Sequence, residues 1–143
     1  MGKTHAWGLV ALRLCLGAFF LFEGIGKFGW FVSSAVLRSR LSEWVGNVGP
    51  LSRAYIETVC LPGVEIFARV VPAAELAVAV SLILGGHTRL AAFLALLMVL
   101  NFHFASGVMF QYAYLTNGYG LPVLGGLLAL AVGGSALPLS VRR

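Results

Sequence analysis

Eight polar side chains within long apolar runs are the residues of this sequence most able to do chemistry. A charge inside a bilayer costs about 2.5–3.5 kcal/mol even on insertion scales, so such residues are expected to face a bundle interior and to pair with one another. Two pairs of these residues are four positions apart, so the members of each pair share one helix face: Glu23 with Lys27, and Glu65 with Arg69. The eight residues are Arg13, Glu23, Lys27, Glu65, Arg69, Glu75, Asn101 and His103.

Counting depth at about 1.5 Å per helical residue brings six of these groups into one layer near the outer end of the predicted bundle. Its four ionised members sum to zero charge, as a desolvated cluster requires. The six candidate residues are Glu23, Lys27, Glu65, Arg69, Asn101 and His103.

Two interpretations of this layer stay open. Buried ion pairs can simply fix which helices pack and in what register. Alternatively, the layer is a pocket for a small amphipathic molecule, for which a quinone head group is the natural ligand. His103 would then donate a proton or hydrogen bond, because histidine titrates near neutral pH. Met98, Phe102 and Phe104 would line the apolar part.

Three further charged residues are predicted to have structural roles. Arg13 and Glu75 are expected at similar depth toward the inner side, where they could form a second ion pair. Arg89 is a further ion-pair candidate, at the start of the third span. We assign no catalytic residue from the sequence.

Cysteine and histidine spacing argues against several other kinds of site. Cys15 and Cys60 are expected at different depths, which disfavours a disulfide, and each is predicted to be a small buried residue. Without a C-x-x-C motif, a membrane thiol oxidoreductase is disfavoured. No two histidines are three or four residues apart, so no metal site and no covalently bound cofactor are expected.

The composition indicates what class of protein carries these residues. Of 143 residues, 59% are hydrophobic and only 10% are charged, against roughly 25% charged residues in soluble domains. This excludes a soluble globular domain, and the high apolar content excludes a disordered chain. The net charge of +5 comes from scattered basic residues, so no nucleic-acid partner is expected. An integral membrane protein remains.

Hydropathy predicts an all-α, four-helix bundle that forms a single membrane domain over residues 1–143, because about 20 apolar residues cross a bilayer. Four spans put both termini on one side, and the basic residues favour the cytoplasmic side of a bacterial-type inner membrane. The predicted spans cover residues 7–28, 62–84, 90–108 and 119–137.

The long segment 29–61 between spans one and two is predicted to lie in the membrane interface. Residues 33–45 combine apolar residues with Arg38, Arg40 and Glu43, as an amphipathic interfacial helix does, and residues 51–59 form a second helical piece. In span four, Gly125, Ala129 and Gly133 form the small-xxx-small pattern of close helix contact, either with another span or with a partner.

One set of residues resembles the signature of a known family. Arg13-Leu14, Gly17, Phe20 and residues 24–27, followed by Pro72, Glu75 and the turn from Leu84 to Arg89, resemble the DoxX family. The long first loop looks like the branch that includes the small membrane subunit of thiosulfate:quinone oxidoreductase. The residues that carry over by position are Arg13, Lys27, Glu75 and Arg89, for which the resemblance implies no established catalytic role.

The resemblance implies a four-helix membrane protein associated with quinone-linked electron transfer, often within a larger complex. The first hypothesis is therefore a quinone-interacting subunit of an oxidoreductase, with other membrane subunits or further copies of the chain as partners. The second is a non-catalytic accessory subunit packed onto a respiratory or photosynthetic complex. A small transporter ranks third, because inverted repeats are only faint.

Overall fold

The computed structural model describes residues 3–141, which are almost entirely helical and contain no β-strand. A π-helix (Ile56–Cys60) follows α4, and two 3₁₀ turns (Val108–Phe110 and Tyr112–Leu115) precede α7. The α-helices are α1 (Lys3–Gly26), α2 (Phe28–Val32), α3 (Ala35–Asn47), α4 (Pro50–Tyr55), α5 (Val64–Leu84), α6 (Thr88–Ala105) and α7 (Leu121–Gly133).

Three helices are long and apolar enough to cross a membrane: His5–Gly26, Val64–Leu84 and Thr88–Ala105. The protein is therefore a membrane protein whose outer helix faces contact lipid. The predicted fourth span, residues 119–137, is only partly helical, because α7 has 13 residues and is about 20 Å long against the roughly 30 Å of a bilayer core. Gly134 and Pro138 follow α7 and do not extend it.

The long helices and α7 enclose the main apolar core. Helix α1 packs against α5 and α7, and α6 packs against the same two helices. Leu82 of α5 and Leu127 and Leu130 of α7 are fully buried in this core. The helices therefore hold their polar side chains at fixed levels relative to one another.

Close glycine contacts fix the antiparallel register of α1 and α5. A Cβ atom added at Gly17 would lie 2.8 Å from Ile83 Cγ1, and one added at Gly24 would lie 2.8 Å from Leu76 Cγ. A step of seven residues toward the C-terminus of α1, from Gly17 to Gly24, therefore corresponds to a step of seven residues toward the N-terminus of α5, from Ile83 to Leu76. In this register, Lys27 lies beside Glu75, and Arg13 lies beside Gly85.

The segment between α1 and α5 is a second packed layer. Leu37 and Leu41 of α3 are buried together with Trp30 of α2 and Ile56 of the π-helix. Helix α3 covers most of the predicted helix 33–45, and α4 with the π-helix covers the predicted piece 51–59. The location of this layer in the membrane interface stays a prediction.

The close contacts of α7 include Gly133 of the predicted stripe but not Gly125, whose place is taken by the neighbouring Gly126. A Cβ atom at Gly126 would lie 3.1 Å from Leu16 Cδ1, and one at Gly133 would lie 3.2 Å from Leu9 Cδ1. Gly125 has no such neighbour within 4 Å. Helix α7 therefore packs on α1 through Gly126 and Gly133.

Candidate functional site

A cavity of about 400 Å³ lies between α1, α3, α5 and α6, near the end of α1 that precedes α2. Its walls are mainly apolar and aromatic, with contributions from Phe19, Phe20, Met98, Phe102 and Val123. The charged and titratable residues that line it are Glu23, Lys27, Arg40, Glu75, His103 and Tyr119. An apolar cavity with a few convergent polar groups is the usual form of a small-molecule site.

Lys27 organises the polar side of the cavity. Its ammonium group lies 2.7 Å from Glu23 Oε2 and 2.8 Å from Glu75 Oε1, and it donates a third hydrogen bond to the Glu23 carbonyl oxygen at 3.2 Å. Nζ also lies 5.8 Å from the ring centre of Trp30. The Lys27 side chain is only 10% exposed, so the ammonium group depends on these partners for the solvation that it loses.

The local backbone explains why Lys27 can reach both carboxylates. Helix α1 ends at Gly26, and Lys27 separates it from α2. The absence of a side chain at Gly24 lets α1 approach α5 closely, with Glu75 Cβ only 3.4 Å from the position of an added Cβ atom. Lys27 therefore bridges two helices, as well as the i, i+4 neighbour Glu23.

Glu75 is the most deeply buried acid of this cluster, with a side chain 5% exposed. Its Oε1 atom accepts from Lys27, whereas its Oε2 atom is buried and has no hydrogen-bond partner among the described residues. An unsatisfied buried acceptor costs about 1–3 kcal/mol or more. A ligand that donates a hydrogen bond to Oε2 would recover part of this free energy.

The charges around the cavity balance when α3 is included. The Glu23, Lys27 and Glu75 cluster sums to one negative charge when ionised, and Arg40 from α3 contributes one positive charge to the same cavity. Glu23 is the exposed member, with a side chain 44% accessible. The cluster therefore runs from the buried Glu75 to a group at the cavity mouth.

His103 lines the same cavity from α6. Its Nδ1 atom lies 2.8 Å from the hydroxyl oxygen of Tyr114, and the two rings meet edge to face with centres 5.1 Å apart. Burial raises the pKa of Tyr114, which keeps this phenol protonated at neutral pH. Tyr114 therefore fixes the orientation of the imidazole, and the Nε2 atom has no hydrogen-bond partner in the described part of the chain.

The predicted pair between Arg13 and Glu75 is wrong. Glu75 pairs with Lys27 instead, because the register of α1 and α5 puts it level with the end of α1. Arg13 lies fully buried at the other end of the bundle, where it donates to Ser140 Oγ at 2.8 Å and to the Leu139 carbonyl oxygen at 2.9 Å.

Arg89 forms no ion pair among residues 3–141, contrary to its prediction as an ion-pair candidate. Its Nε atom donates to the carbonyl oxygen of Ala131 at 2.9 Å, which ties the start of α6 to α7. Its interaction is therefore structural, but the acceptor is a backbone carbonyl at the end of a neighbouring helix.

Glu65 and Arg69 lie outside the cavity. They pair with each other at 3.1 Å, as the spacing predicts, but the exposed Glu65 also lies 3.7 Å from Arg38 and accepts from Ser34. Glu65 precedes Glu75 by ten residues, which is about 15 Å along α5. This distance puts Glu65 beside α3, beyond the level of Lys27.

Asn101 and Phe104 also lie outside the cavity. The Asn101 Oδ1 atom accepts from the Tyr55 hydroxyl at 2.5 Å, and Phe104 packs edge to face on Tyr55 with ring centres 5.5 Å apart. Two residues from His103 along a helix is about 200°, so Asn101 points to the opposite face of α6. The predicted wall residues Met98 and Phe102 do line the cavity.

The sequence predictions missed the contribution of α3 to the cavity. Arg40 and Trp44 line it from one face of α3, where they are four residues apart. The same i, i+4 criterion that singled out Glu23 and Lys27 could have found them. Nothing in the local sequence indicates that α3 borders this cavity, because its position depends on the packed layer between α1 and α5.

The cysteines differ in burial. Cys60 is buried and Cys15 is exposed on the outside of α1, so the prediction of a buried residue is wrong for Cys15. Both are free thiols. Across residues 3–141, no group of three histidine, cysteine or acidic side chains is arranged to hold a metal ion.

Comparison with protein families matches residues 8–107 to the DoxX family model. The chain belongs to the DoxX family. The matched residues cover most of α1 and all of α2 to α6, and hence Lys27, Glu75 and His103 of the cavity, and they end before α7. Comparisons with curated proteins and with solved structures give no match.

Proposed function

We propose that this DoxX protein binds a quinone head group in the cavity and acts as the membrane subunit of a quinone-linked redox system. The main support is Glu75. This residue lines a cavity whose other walls are largely aromatic and apolar, and its buried Oε2 atom has no hydrogen-bond partner among the described residues. A quinone head group combines a flat apolar ring with oxygen atoms at opposite edges, which suits such a cavity.

The cavity contains hydrogen-bonding groups that suit both the oxidised and the reduced form of this ligand. A quinol hydroxyl can donate to Glu75 Oε2, whereas a quinone carbonyl needs a donor, which His103 can provide when Nε2 carries a proton. The Tyr114 hydroxyl fixes the imidazole at Nδ1. The three N–H bonds of Lys27 already go to Glu23 and Glu75, so Lys27 sets the charge of the site.

Reduction of a quinone to a quinol takes two electrons and two protons. In our proposal, Glu75 and His103 carry protons at the ring oxygens, and the partly exposed Glu23 connects the cluster to the cavity mouth. The electrons come from a reduced sulfur compound or from a partner subunit, in the manner of the thiosulfate:quinone oxidoreductases that the sequence resembles.

A second groove supports a ligand with a long apolar tail. It has a volume of about 700 Å³, runs between α5 and α6 on the outside of the bundle, and shares the wall residue Met98 with the cavity. An isoprenoid chain could follow this groove while its head group occupies the cavity. We therefore expect binding to strengthen with tail length.

Ligand titration tests the proposal. Purified protein in lipid nanodiscs is titrated with short-tailed ubiquinone and menaquinone analogues, and binding is measured by calorimetry. We expect saturable binding at micromolar concentration for at least one analogue. His103→Ala should weaken it about tenfold, because it removes a hydrogen bond of about 1.5 kcal/mol.

The control is His5→Ala, which removes an exposed histidine on α1 away from the cavity. The proposal fails if neither analogue binds at micromolar levels, or if His103→Ala and His5→Ala behave like the unchanged protein. If quinone binding is absent and the chain comigrates with a large respiratory or photosynthetic complex, the accessory-subunit function is favoured.

A further inference from the structure

A second polar cavity lies at the opposite end of the bundle, where the turn after α5 leads into α6. It has a volume of about 300 Å³, and its walls include the first turn of α6 and the segment that follows α7. Its polar side chains are those of His87, Thr88, Arg89, Ser135 and Ser140, and none of the described residues that line it is acidic. This cavity shares no lining residue with the proposed quinone site.

The backbone gives this cavity positive character. The first hydrogen bond within α6 runs from the Ala91 N–H to the His87 carbonyl, so the N–H groups of Thr88, Arg89 and Leu90 have no partner within the helix. No side chain caps this end. An 18-residue helix also has a partial positive charge at its N-terminus, which favours an anion there.

The Thr88 side chain adds an unpaired hydroxyl group to this end of α6. Thr88 is 4% exposed, and its Oγ1 atom is buried without a hydrogen-bond partner among the described residues. A buried hydroxyl is normally paired, because leaving it unpaired costs free energy. An oxygen atom bound in the cavity would accept the Thr88 hydrogen bond.

The buried positive charge of Arg13 also favours the binding of an anion nearby. Arg13 is fully buried, forms no ion pair in the described part of the chain, and leaves its Nε atom without a partner. Its guanidinium group is held behind the cavity wall by Ser140, which lines the cavity. Arg89 adds a second guanidinium group, anchored through Nε to Ala131.

We propose that this cavity binds a phosphate group. Phosphate oxygens would accept hydrogen bonds from Thr88 Oγ1, from the free N–H groups of α6 and from Arg89, and the bound charge would offset that of Arg13. The phosphate can belong to an anionic lipid head group or to a small soluble phosphate. The position at a bundle end favours the lipid.

The test is native mass spectrometry of the purified protein after exchange into defined lipids. Phosphatidylglycerol, phosphatidylcholine and diacylglycerol are compared, the last of which has no phosphate. We expect phosphatidylglycerol to be retained at least tenfold more strongly than diacylglycerol. A second arm adds inorganic phosphate, whose competition with the lipid would identify a small soluble ligand as the source.

Variants locate the binding. Thr88→Val keeps the side-chain shape and removes the hydroxyl, and we expect it to reduce phosphatidylglycerol retention at least threefold, whereas Thr88→Ser should keep it. Arg89→Gln should reduce it about tenfold. The controls are Thr58→Val and Arg38→Gln, which change exposed residues near the other end of the bundle. Equal retention of all three lipids, or equal retention by these variants and the controls, overturns the proposal, and circular dichroism verifies that each variant is folded.

Discussion

Lys27 is the residue on which the site depends most, because it is the counter-charge of the buried Glu75. The two groups are 10% and 5% exposed, and 2.8 Å separates their charged atoms. Removing one partner of such a pair leaves the other charge buried and uncompensated, which costs far more than the intact pair contributes.

Lys27→Met should therefore lower the free energy of unfolding by about 3–5 kcal/mol. The measurement is thermal or denaturant unfolding in detergent. The double variant Lys27→Met, Glu75→Met should recover much of this loss, because neither charge remains buried. Glu43→Gln, on the exposed face of α3, is the control. An unchanged melting temperature for Lys27→Met would contradict the pairing.

Gly85 provides the space for Arg13 at the other end of the bundle. Its φ angle is +74°, and an added Cβ atom would clash with the Nη1 atom of Arg13. Gly85→Ala should therefore destabilise the protein by at least 1–3 kcal/mol, through backbone strain and displacement of the guanidinium group. The adjacent Gly86→Ala should be nearly neutral, since no atom lies within 4 Å of its added Cβ. Equal stability of the two variants would show that Arg13 does not occupy this position.

Cys60 is predicted to react slowly because burial raises the pKa of its thiol. A raised pKa leaves less thiolate at any given pH, and the thiolate is the reactive form. In a Cys15→Ser background, alkylation of native Cys60 at pH 8 should be much slower than alkylation of the same chain unfolded in dodecyl sulfate. Native and unfolded rates that agree would refute the buried position.

At the scale of elements, the contact between α1 and α5 decides which charges meet. Gly17 and Gly24 bring the two backbones together, and a shift by one helical turn would separate Lys27 from Glu75. The site is thus a consequence of helix register.

Gly17→Ala should weaken this contact, because its Cβ would lie 3.2 Å from the backbone nitrogen of Ile83, which cannot move aside as a side chain can. We expect a loss of about 1–3 kcal/mol in unfolding free energy, as for overpacked cores. Gly8→Ala, on the same helix, has no neighbour within 4 Å and should be neutral or slightly stabilising. The prediction fails if both variants unfold at the same temperature.

The sequence was sufficient for interactions within one helix and insufficient for those between helices. Glu23 with Lys27, and Glu65 with Arg69, follow from i, i+4 spacing alone. Arg13 and Glu75 do not pair as the span boundaries predict, because glycine contacts fix the register of α1 and α5. Hydropathy gives no indication that Arg40 and Trp44 of α3 border the cavity.

At the scale of the whole molecule, three helices of span length and the shorter α7 form one bundle with a polar cavity at each end. The two cavities differ in chemistry. The one beside Lys27 combines carboxylates with an imidazole, and the one beside Thr88 has basic groups without acids among the described residues. We propose that the basic end faces the cytoplasm, as the positive-inside rule favours.

Cysteine labelling tests this orientation. In a background without Cys15 and Cys60, Glu43→Cys on α3 and Gly86→Cys in the turn before α6 lie at opposite ends of α5. A membrane-impermeant maleimide added to intact cells should label Glu43→Cys, whereas Gly86→Cys should react only after the membrane is opened. The reverse pattern would mean the opposite orientation.

The most direct test of a quinone head group beside Lys27 and Glu75 is photo-crosslinking with an azidoquinone in nanodiscs, followed by peptide mapping. We predict adducts within residues 19–27, at the end of α1, and within residues 98–106, at the end of α6. Excess unlabelled quinone should prevent these adducts, and Met98→Trp should abolish them by filling the cavity. Adducts confined to lipid-facing positions such as Leu128 and Val132, unaffected by competitor, would contradict the account.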